Sequence, residues 1–125
     1  MVRIIAVGVG GGIGALTRFW ILDPSAIFPF STLLINIIGS FLITFFTYVW
    51  LDREIIKALL TTGFCGGFTT MSAFSGEVYA LFSIDIWIAW LYILLSVGLG
   101  IAAAVAGEKA ARLVKKQFRG SPHVS

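Results

Sequence analysis

Charged residues are scarce in this chain of 125 residues, because Asp, Glu, Lys and Arg together make up only 12% of it. Typical soluble domains are about 25% charged and about 45–50% apolar. Here 58% of the residues are hydrophobic and the mean hydropathy is +0.99. A water-soluble core does not need this much apolar surface, so the composition predicts a membrane protein.

Cysteine and histidine each occur only once, as Cys65 and His123. One cysteine cannot close an intrachain disulfide, and one histidine in a polar tail cannot build a metal site or a catalytic triad. The chain therefore lacks the residues for hydrolase or metalloenzyme chemistry, and we predict that it is not an enzyme. We expect Cys65 to be a small apolar residue within a helix.

Charges are absent from several long stretches, and this pattern predicts four membrane-spanning helices in one all-α domain over residues 1–125. A bilayer core about 30 Å thick needs about 20 apolar residues per helix. The predicted spans are near residues 3–22, 30–50, 56–82 and 86–108, with a basic tail at 109–125. The first span is not expected to be a cleaved signal peptide, because Arg18 and Trp20 stand where small residues would be needed.

Turn and cap residues separate the predicted spans. Asp23-Pro24-Ser25 and Pro29 predict the end of the first helix and the start of the second. Residues 52–54 predict a short polar hairpin, and Asp85 is placed to cap the fourth helix at its positive N-terminal end.

The positive residues are distributed unevenly around these spans. Of nine Lys and Arg residues, eight lie in the N-terminus, the middle loop or the tail, and only Arg18 lies on the opposite side. Positive residues favour the cytoplasmic side, so the distribution predicts that both termini are inside. We expect Glu108 to Arg119 to continue the last helix along the headgroups, with Leu113 and Phe118 as apolar contacts.

Glycines crowd the first span. Gly8 with Gly12, and Gly10 with Gly14, form small-residue pairs that let another helix approach closely. The segment Gly10 to Ala15 also matches the G-x-G-x-x-A pattern of dinucleotide-binding folds, with Ile4 to Val9 as the preceding strand. No acidic residue follows at the required distance and no strand–helix alternation follows, so we favour the packing interpretation.

Polar residues line one face of the second and of the fourth span. Asn36, Ser40 and Thr44 are spaced four apart and share a helical face. Asn36 supplies two N–H donors, and it is interpreted either as an interhelical hydrogen-bond partner or as a pore-lining donor. The fourth span carries a similar stripe, which indicates either packing or a hydroxyl track along a pore: Tyr92, Ser96, Gly100 and Ala104.

The third span is unusually rich in glycine, serine and threonine between Gly63 and Gly76. Gly-Gly followed by Thr-Thr forms helix poorly, so we expect the helix to break between Gly66 and Thr70. Freed backbone carbonyls inside a bilayer need partners, and broken membrane helices often build ion sites. Beyond the break, the hydroxyl of Ser72 and the electropositive ring edge of Phe74 can hold a small anion. Glu77 either marks the end of the membrane zone or is a buried partner.

Taken together, these residues resemble the Fluc family of small fluoride channels over nearly the whole chain. The matching motifs are Gly11 to Arg18 in the first span, Ser31 to Phe41 in the second and, most specifically, Gly63 to Phe74 in the third. The resemblance implies an antiparallel, dual-topology dimer with two fluoride pores and a structural sodium ion at its centre. It also implies a multi-pass protein of the inner (plasma) membrane.

The resemblance implies which residues form the site. The sodium ion would be held by the backbone carbonyls of Gly66 and Thr69. Met71 stands where relatives carry the first of two pore phenylalanines, and methionine is polarizable but has no ring edge. The residues implied along the fluoride pathway are Asn36, Met71, Ser72, Phe74, Tyr92, Ser96, Arg18 and Glu77.

The positive-charge bias conflicts with the simplest assembly. An antiparallel homodimer needs one chain inserted each way, whereas eight positive residues against one favour a single orientation. The partner is therefore either a second copy of this chain or a homologous chain of opposite orientation, and nucleic acid is not expected as a partner. The alternative from another functional class is a small non-conducting membrane assembly subunit.

Overall fold

The computed structural model describes residues 1–21 and 30–119, and over these ranges the chain is helical with no β-strand. A π-helical segment, Leu59–Cys65, joins α3 to α4. The α-helices are α1 (Val2–Ile21), α2 (Phe30–Val49), α3 (Glu54–Ala58), α4 (Gly66–Phe68), α5 (Met71–Ile84) and α6 (Ile86–Arg119). The prediction of an all-α protein is confirmed. The predicted turn residues Asp23, Pro24, Ser25 and Pro29 lie outside the described ranges.

Three of these helices are long and apolar enough to cross a membrane: α1, residues Ser31–Val49 of α2, and residues Ile86–Phe118 of α6. Their outward faces carry large apolar side chains; Ile4, Phe19 and Leu94 are all about two-thirds exposed or more, at 73%, 72% and 67%. Such surfaces are stable in lipid and not in water, so the fold is that of a membrane protein.

The glycines of α1 bring its backbone against the chain between α3 and α4. A Cβ atom at Gly10 would overlap the carbonyl oxygen of Leu59, and one at Gly14 would overlap that of Phe64. The predicted Gly10–Gly14 packing pair is confirmed. Gly8 and Gly12 have no atom of the described chain within reach of an added Cβ. The dinucleotide-binding alternative is wrong, because Ile4 to Val9 is part of a helix and not of a strand.

The third helical region is continuous from Glu54 to Phe68 and resumes at Met71. Between these points Thr69 and Thr70 are extended, with φ and ψ of −78° and 159° and of −145° and 117°. The irregular stretch is therefore shorter than the predicted Gly66 to Thr70. Gly66 and Gly67 remain helical because Gly67 packs directly on the backbone of Gly11, where a Cβ atom would overlap.

Helix α6 packs mainly along α2, and α5 packs against α6. A Cβ atom at Gly107 would overlap the carbonyl oxygen of Phe41, so α2 and α6 are in backbone contact there. The Thr44 hydroxyl donates to the Ala104 carbonyl across the same interface at 2.8 Å. Part of the polar stripe on the fourth predicted span therefore serves helix packing.

Helix α6 begins and ends as its sequence predicts. The Asp85 carboxylate accepts a hydrogen bond from the Trp87 N–H at 2.9 Å, which confirms the predicted N-cap. The helix continues without interruption to Arg119, so residues 108–119 do extend the last span. On this extension Arg112 pairs with Glu108 at 2.5 Å and lies 5.9 Å from the ring centroid of Tyr48.

Candidate functional site

A groove of about 560 Å³ lies where α2, the end of the π-helical segment, the two extended residues and α6 meet. It brings together residues that are far apart in sequence and combines polar groups with apolar walls. The groove is lined by Asn36, Gly39, Ser40, Ile43, Thr61, Thr62, Cys65, Gly66, Thr69, Thr70, Met71, Phe74, Ser96 and Val97.

The side chain of Asn36 holds the backbone of Thr70 at two points. Its Nδ2 donates to the Thr70 carbonyl at 3.1 Å, and its Oδ1 accepts from the Thr70 N–H at 2.9 Å. The N–H and the carbonyl of Thr70, which have no helical partners, are thereby hydrogen-bonded, as backbone groups inside a membrane must be. The amide nitrogen still has a second N–H that these two bonds do not use. Asn36 is thus an interhelical partner with a donor to spare.

The two threonines of the extended stretch also use their side chains to end one helix and begin the next. The Thr69 hydroxyl donates back to the Cys65 carbonyl at 2.9 Å. The Thr70 hydroxyl caps α5 by accepting from the Ala73 N–H at 3.1 Å, and it lies 3.2 Å from the hydroxyl of Ser72. Threonine is therefore favoured at these two positions by local hydrogen bonding.

Arg18 reaches the same stretch from α1. Its Nη1 donates to the Thr69 carbonyl oxygen at 3.1 Å. This carbonyl stands at the C-terminal end of the helical region that starts at Glu54, where a helix carries partial negative charge. Arg18 is therefore a charged partner of the backbone, and its side chain is not part of the groove lining.

A second polar cluster lies beside the groove. Glu77 accepts hydrogen bonds from the hydroxyls of Thr32 at 2.7 Å and Tyr92 at 2.8 Å. Thr32 and Tyr92 are both almost fully buried. The Tyr92 ring stacks on Phe74 with 5.4 Å between centroids, so this cluster fixes one face of a groove-lining ring. Of the two interpretations of Glu77, the structure supports the partly buried hydrogen-bond partner.

Several groove hydroxyls are already bonded to backbone carbonyls. Ser40 donates to the Asn36 carbonyl at 2.8 Å, and Thr61 donates to the Lys57 carbonyl at 2.7 Å. Such hydroxyls present mainly oxygen lone pairs to the groove. The Tyr92 hydroxyl likewise directs its proton to Glu77. The amide of Asn36 is therefore one hydrogen-bond donor available to the groove, beside the hydroxyls of Thr62 and Ser96, which also line it.

The groove collects most, though not all, of the residues predicted for the site. Asn36, Met71, Phe74, Ser96, Gly66 and Thr69 line it. Ser72, Tyr92 and Glu77 adjoin it through Thr70 and Phe74. Arg18 does not line the groove and contacts the Thr69 carbonyl. Met71 is 74% exposed, so it stands at the open edge of the groove.

Sequence reasoning missed some lining residues and one supporting residue. Thr61 and Thr62 line the groove but precede the glycine-rich stretch on which the prediction depended. Gly39 was missed as a contact: a Cβ atom there would overlap the Thr69 side-chain methyl. Thr32 lies four residues before Asn36, so extending the predicted polar face by one turn would have found it.

The residues at the extended stretch fit a cation bound through oxygen. In an unbroken helix the Thr70 N–H would donate to the Gly66 carbonyl, but here it donates to Asn36. The Gly66 carbonyl therefore loses its usual helical partner, and the Thr69 carbonyl faces a guanidinium instead of an amide. Within the described residues no cluster of His, Cys, Asp or Glu could hold a metal ion. Oxygen ligands for such a role would therefore come from backbone carbonyls or from the hydroxyl and amide oxygens of the groove lining.

The fold and the groove define a small, multi-helix membrane protein whose polar groups converge at an interrupted helix. A sequence model described as "CrcB-like protein, Camphor Resistance (CrcB)" matches residues 5–108, and the chain belongs to this family. Relatives bearing the name fluoride-specific ion channel confirm the resemblance drawn from the sequence. The family is one of ion channels and not of enzymes, as the composition predicts.

Three relatives illustrate the similarity. The "Fluoride-specific ion channel FluC" of Roseiflexus sp. (strain RS-1) is 41% identical over 122 residues, which cover 90% of this chain and 98% of the relative. That of Methanopyrus kandleri is 39% identical over 120 residues, covering 90% and 91%. "Fluoride-specific ion channel FluC 2" of Halalkalibacterium halodurans is 37% identical over 130 residues, covering 95% and 96%.

Proposed function

We propose that this chain is a passive, fluoride-selective channel that exports cytoplasmic fluoride. The observation that carries the proposal is the Asn36 amide and the Phe74 ring lining one groove, in a chain whose relatives bear the name fluoride-specific ion channel. An N–H donor and the electropositive edge of a phenyl ring both suit a small anion. A pathway of few and weak contacts lets an ion leave as well as enter.

The functional unit is an antiparallel dimer of four-span chains in the inner (plasma) membrane, with two pores. Helices α1, α2 and α6 supply three spans. The region from Glu54 to Ile84 supplies the fourth as two half-helices joined at Thr69 and Thr70. Four helices are too few to enclose a pore alone, and the groove is open on one side. A second chain would close it, either another copy or a homologue inserted the opposite way.

Within this assembly fluoride passes Asn36 and Phe74 in turn. Met71 provides a polarizable side chain at the groove edge in place of a second ring. Ser96 lies on the groove wall, and Ser72 adjoins it beside Thr70. Tyr92 and Glu77 act indirectly. Tyr92 is held by its hydrogen bond to Glu77 and stacks on Phe74, so the pair holds the Phe74 ring in place.

A sodium ion at the centre of the dimer would be held by the Gly66 and Thr69 carbonyls of both chains. The sodium ion would balance the partial negative charge of the carbonyl oxygens at the two interrupted helices. Oxygen ligands without thiolate or imidazole suit a hard cation. Two side chains of the same chain prepare this site. Asn36 accepts the Thr70 N–H and so leaves the Gly66 carbonyl without its helical donor, and Arg18 orients the Thr69 carbonyl.

Export needs no energy source other than the fluoride gradient. Hydrogen fluoride enters the cell as a neutral acid, ionises in the less acidic cytoplasm and is trapped as the anion. A passive fluoride pathway releases it. No catalytic group is required, in agreement with the absence of enzyme-like residues from the sequence.

Fluoride efflux from proteoliposomes tests the proposal. Purified protein is reconstituted alone or with an oppositely oriented homologue, and release of fluoride is recorded with an ion-selective electrode, with chloride release as the control. We expect fluoride release far above that of chloride. If neither preparation releases fluoride, the channel proposal fails and the non-conducting assembly subunit takes its place.

A further inference from the structure

The interrupted helix is already in contact with a positive charge within a single chain. The Arg18 Nη1 donates to the Thr69 carbonyl at 3.1 Å, and this pair is partly buried. Thr69 follows directly on Phe68, the last residue of α4. The guanidinium therefore stands at the negative end of the helical region Glu54–Phe68, where a cation is favoured.

The backbone contact between α1 and this region delivers Arg18 to its partner. Gly14 packs on the Phe64 carbonyl so closely that no Cβ atom fits between them. Arg18 comes one helical turn later on the same face of α1. The backbone position of Arg18 therefore follows from the glycine packing, which places its side chain within reach of the Thr69 carbonyl.

The same carbonyl is one of the two that we propose for sodium, and Thr69 is also one of the residues that line the groove. A carbonyl oxygen has two lone pairs, so it can accept from Arg18 and still coordinate an ion. Two cations on one oxygen atom are only a few ångströms apart, and their repulsion is strong in an environment of low dielectric constant. The Arg18 charge and a bound ion therefore oppose each other at this atom.

We propose that Arg18 is a positioning residue that sets the sodium affinity of the interrupted helix, and that it does not contact fluoride. It holds the Thr69 carbonyl in place when sodium is absent, and its charge weakens sodium binding when sodium is present. This inference rests on the proposed sodium site. It assigns Arg18 to cation control rather than to the anion pathway.

Sodium-dependent stability tests the inference without relying on transport. The melting temperature of detergent-purified protein is measured as sodium chloride replaces N-methyl-D-glucamine chloride at constant ionic strength. For Arg18→Gln we expect a lower melting temperature without sodium and a sodium midpoint at least about tenfold lower, because the repelling charge is gone. Arg18→Lys keeps the charge and is expected to keep the wild-type midpoint. Arg53→Gln removes an exposed charge elsewhere and is expected to leave both values unchanged.

An unchanged or higher sodium midpoint in Arg18→Gln would overturn the inference, as would the absence of any sodium response in the wild type. Should Arg18→Gln not fold, a midpoint shifted about tenfold in Arg18→Lys would overturn it, because that variant retains the charge. Fluoride efflux from the same preparations separates the two proposals. A sodium response without efflux contradicts the channel but not this inference. Efflux without a sodium response contradicts the sodium site, and this inference with it, but not the channel.

Discussion

At the scale of single residues, Asn36 makes the interhelical hydrogen bonds that the sequence presents as one alternative, and we propose that it also has the other, pore-lining role. Its amide closes two hydrogen bonds on the Thr70 backbone and still carries an N–H for the groove. The residue that stabilises the interruption is therefore the one we propose to meet the ion. A substitution at this position affects both functions, and the choice of variant has to separate them.

The variant Asn36→Asp keeps the shape and loses the donors. A carboxylate still accepts from the Thr70 N–H, but it faces the Thr70 carbonyl and a passing anion with negative charge. We expect fluoride efflux from proteoliposomes to fall by about tenfold or more, since a lost hydrogen bond to a charged group is worth about 1.5–3 kcal/mol. Thr47→Ala removes an exposed hydroxyl from the same helix and is expected to leave efflux unchanged. Equal efflux in both variants would remove Asn36 from the pathway.

The Phe74 ring yields a second prediction at this scale. Phe74→Ile removes the ring edge and the stacking on Tyr92, which is worth about 0.5–1.5 kcal/mol beyond burial. We expect fluoride efflux to fall by about tenfold or more while the protein elutes as before in size-exclusion chromatography. The matched control is Phe82→Ile on the same helix, where the ring packs edge-on against Trp90. A flux loss of the same size in the control would show that any ring on α5 matters, contrary to the proposed role of Phe74.

Residue types and spacing predicted much of the groove lining, but not what each side chain does there. Asn36 and Ser96 were found because they share helical faces with other polar or small residues. Phe74 was found because its ring follows the predicted break in the third span. The sequence could not show that the Tyr92 hydroxyl donates to Glu77 and not into the groove, since that bond joins α6 to α5. It likewise could not place Arg18 on the Thr69 carbonyl, because that contact depends on how closely α1 approaches.

At the scale of elements, helix α1 has two glycine faces with different surroundings. Gly10 and Gly14 meet the backbone of the third helical region, whereas Gly8 and Gly12 face no neighbour in the described chain. The sequence pattern is the same for both pairs. The structure distinguishes the two glycine pairs, so their effects on stability can be compared within one helix.

Adding a methyl group should destabilise the protein on one face of α1 and have little effect on the other. Gly14→Ala forces a Cβ atom into the Phe64 carbonyl, and overpacking of this kind costs about 1–3 kcal/mol. We expect a clear fall in melting temperature in detergent for Gly14→Ala and little change for Gly12→Ala measured in the monomer. A fall of the same size in Gly12→Ala would show that the two faces are equally packed, against the structure.

The third helical region shows where prediction from sequence reaches its limit. Low helix propensity indicated an interruption, and its position was predicted as Gly66 to Thr70. Gly66 and Gly67 are helical despite their low helix propensity, because the close packing of Gly67 on the Gly11 backbone stabilises a helix there. The π-helical turn at Leu59–Cys65 has no signal in residue type that we recognise.

At the scale of the whole molecule, the distribution of positive charges favours one orientation in the membrane, whereas an antiparallel homodimer needs two. Eight of nine Lys and Arg residues belong to one predicted side. Several of them lie on the extension of α6, which the structure shows as a helix reaching Arg119. A chain with so strong a bias is expected to insert in one direction.

The orientation of the C-terminus decides between the two possible partners. A tag fused after Ser125 is tested for accessibility from each side of the membrane in intact and permeabilised cells. From the charge distribution we expect a predominantly cytoplasmic C-terminus, which requires a homologous partner of opposite orientation. Roughly equal exposure on the two sides would instead support a homodimer of this chain.

The hydrogen bonds from Arg18 and Asn36 to the backbone of Thr69 and Thr70 also have a consequence for the synthesis of the protein. Arg18 and Asn36, which satisfy these two residues, both lie earlier in the chain. During synthesis from the N-terminus, α1 and α2 leave the ribosome before the interrupted segment does. The partners of the Thr69 carbonyl and of the Thr70 N–H and carbonyl are therefore synthesised before these groups enter the bilayer. The order of the helices along the chain thus allows α1 and α2 to satisfy this non-helical segment as it inserts.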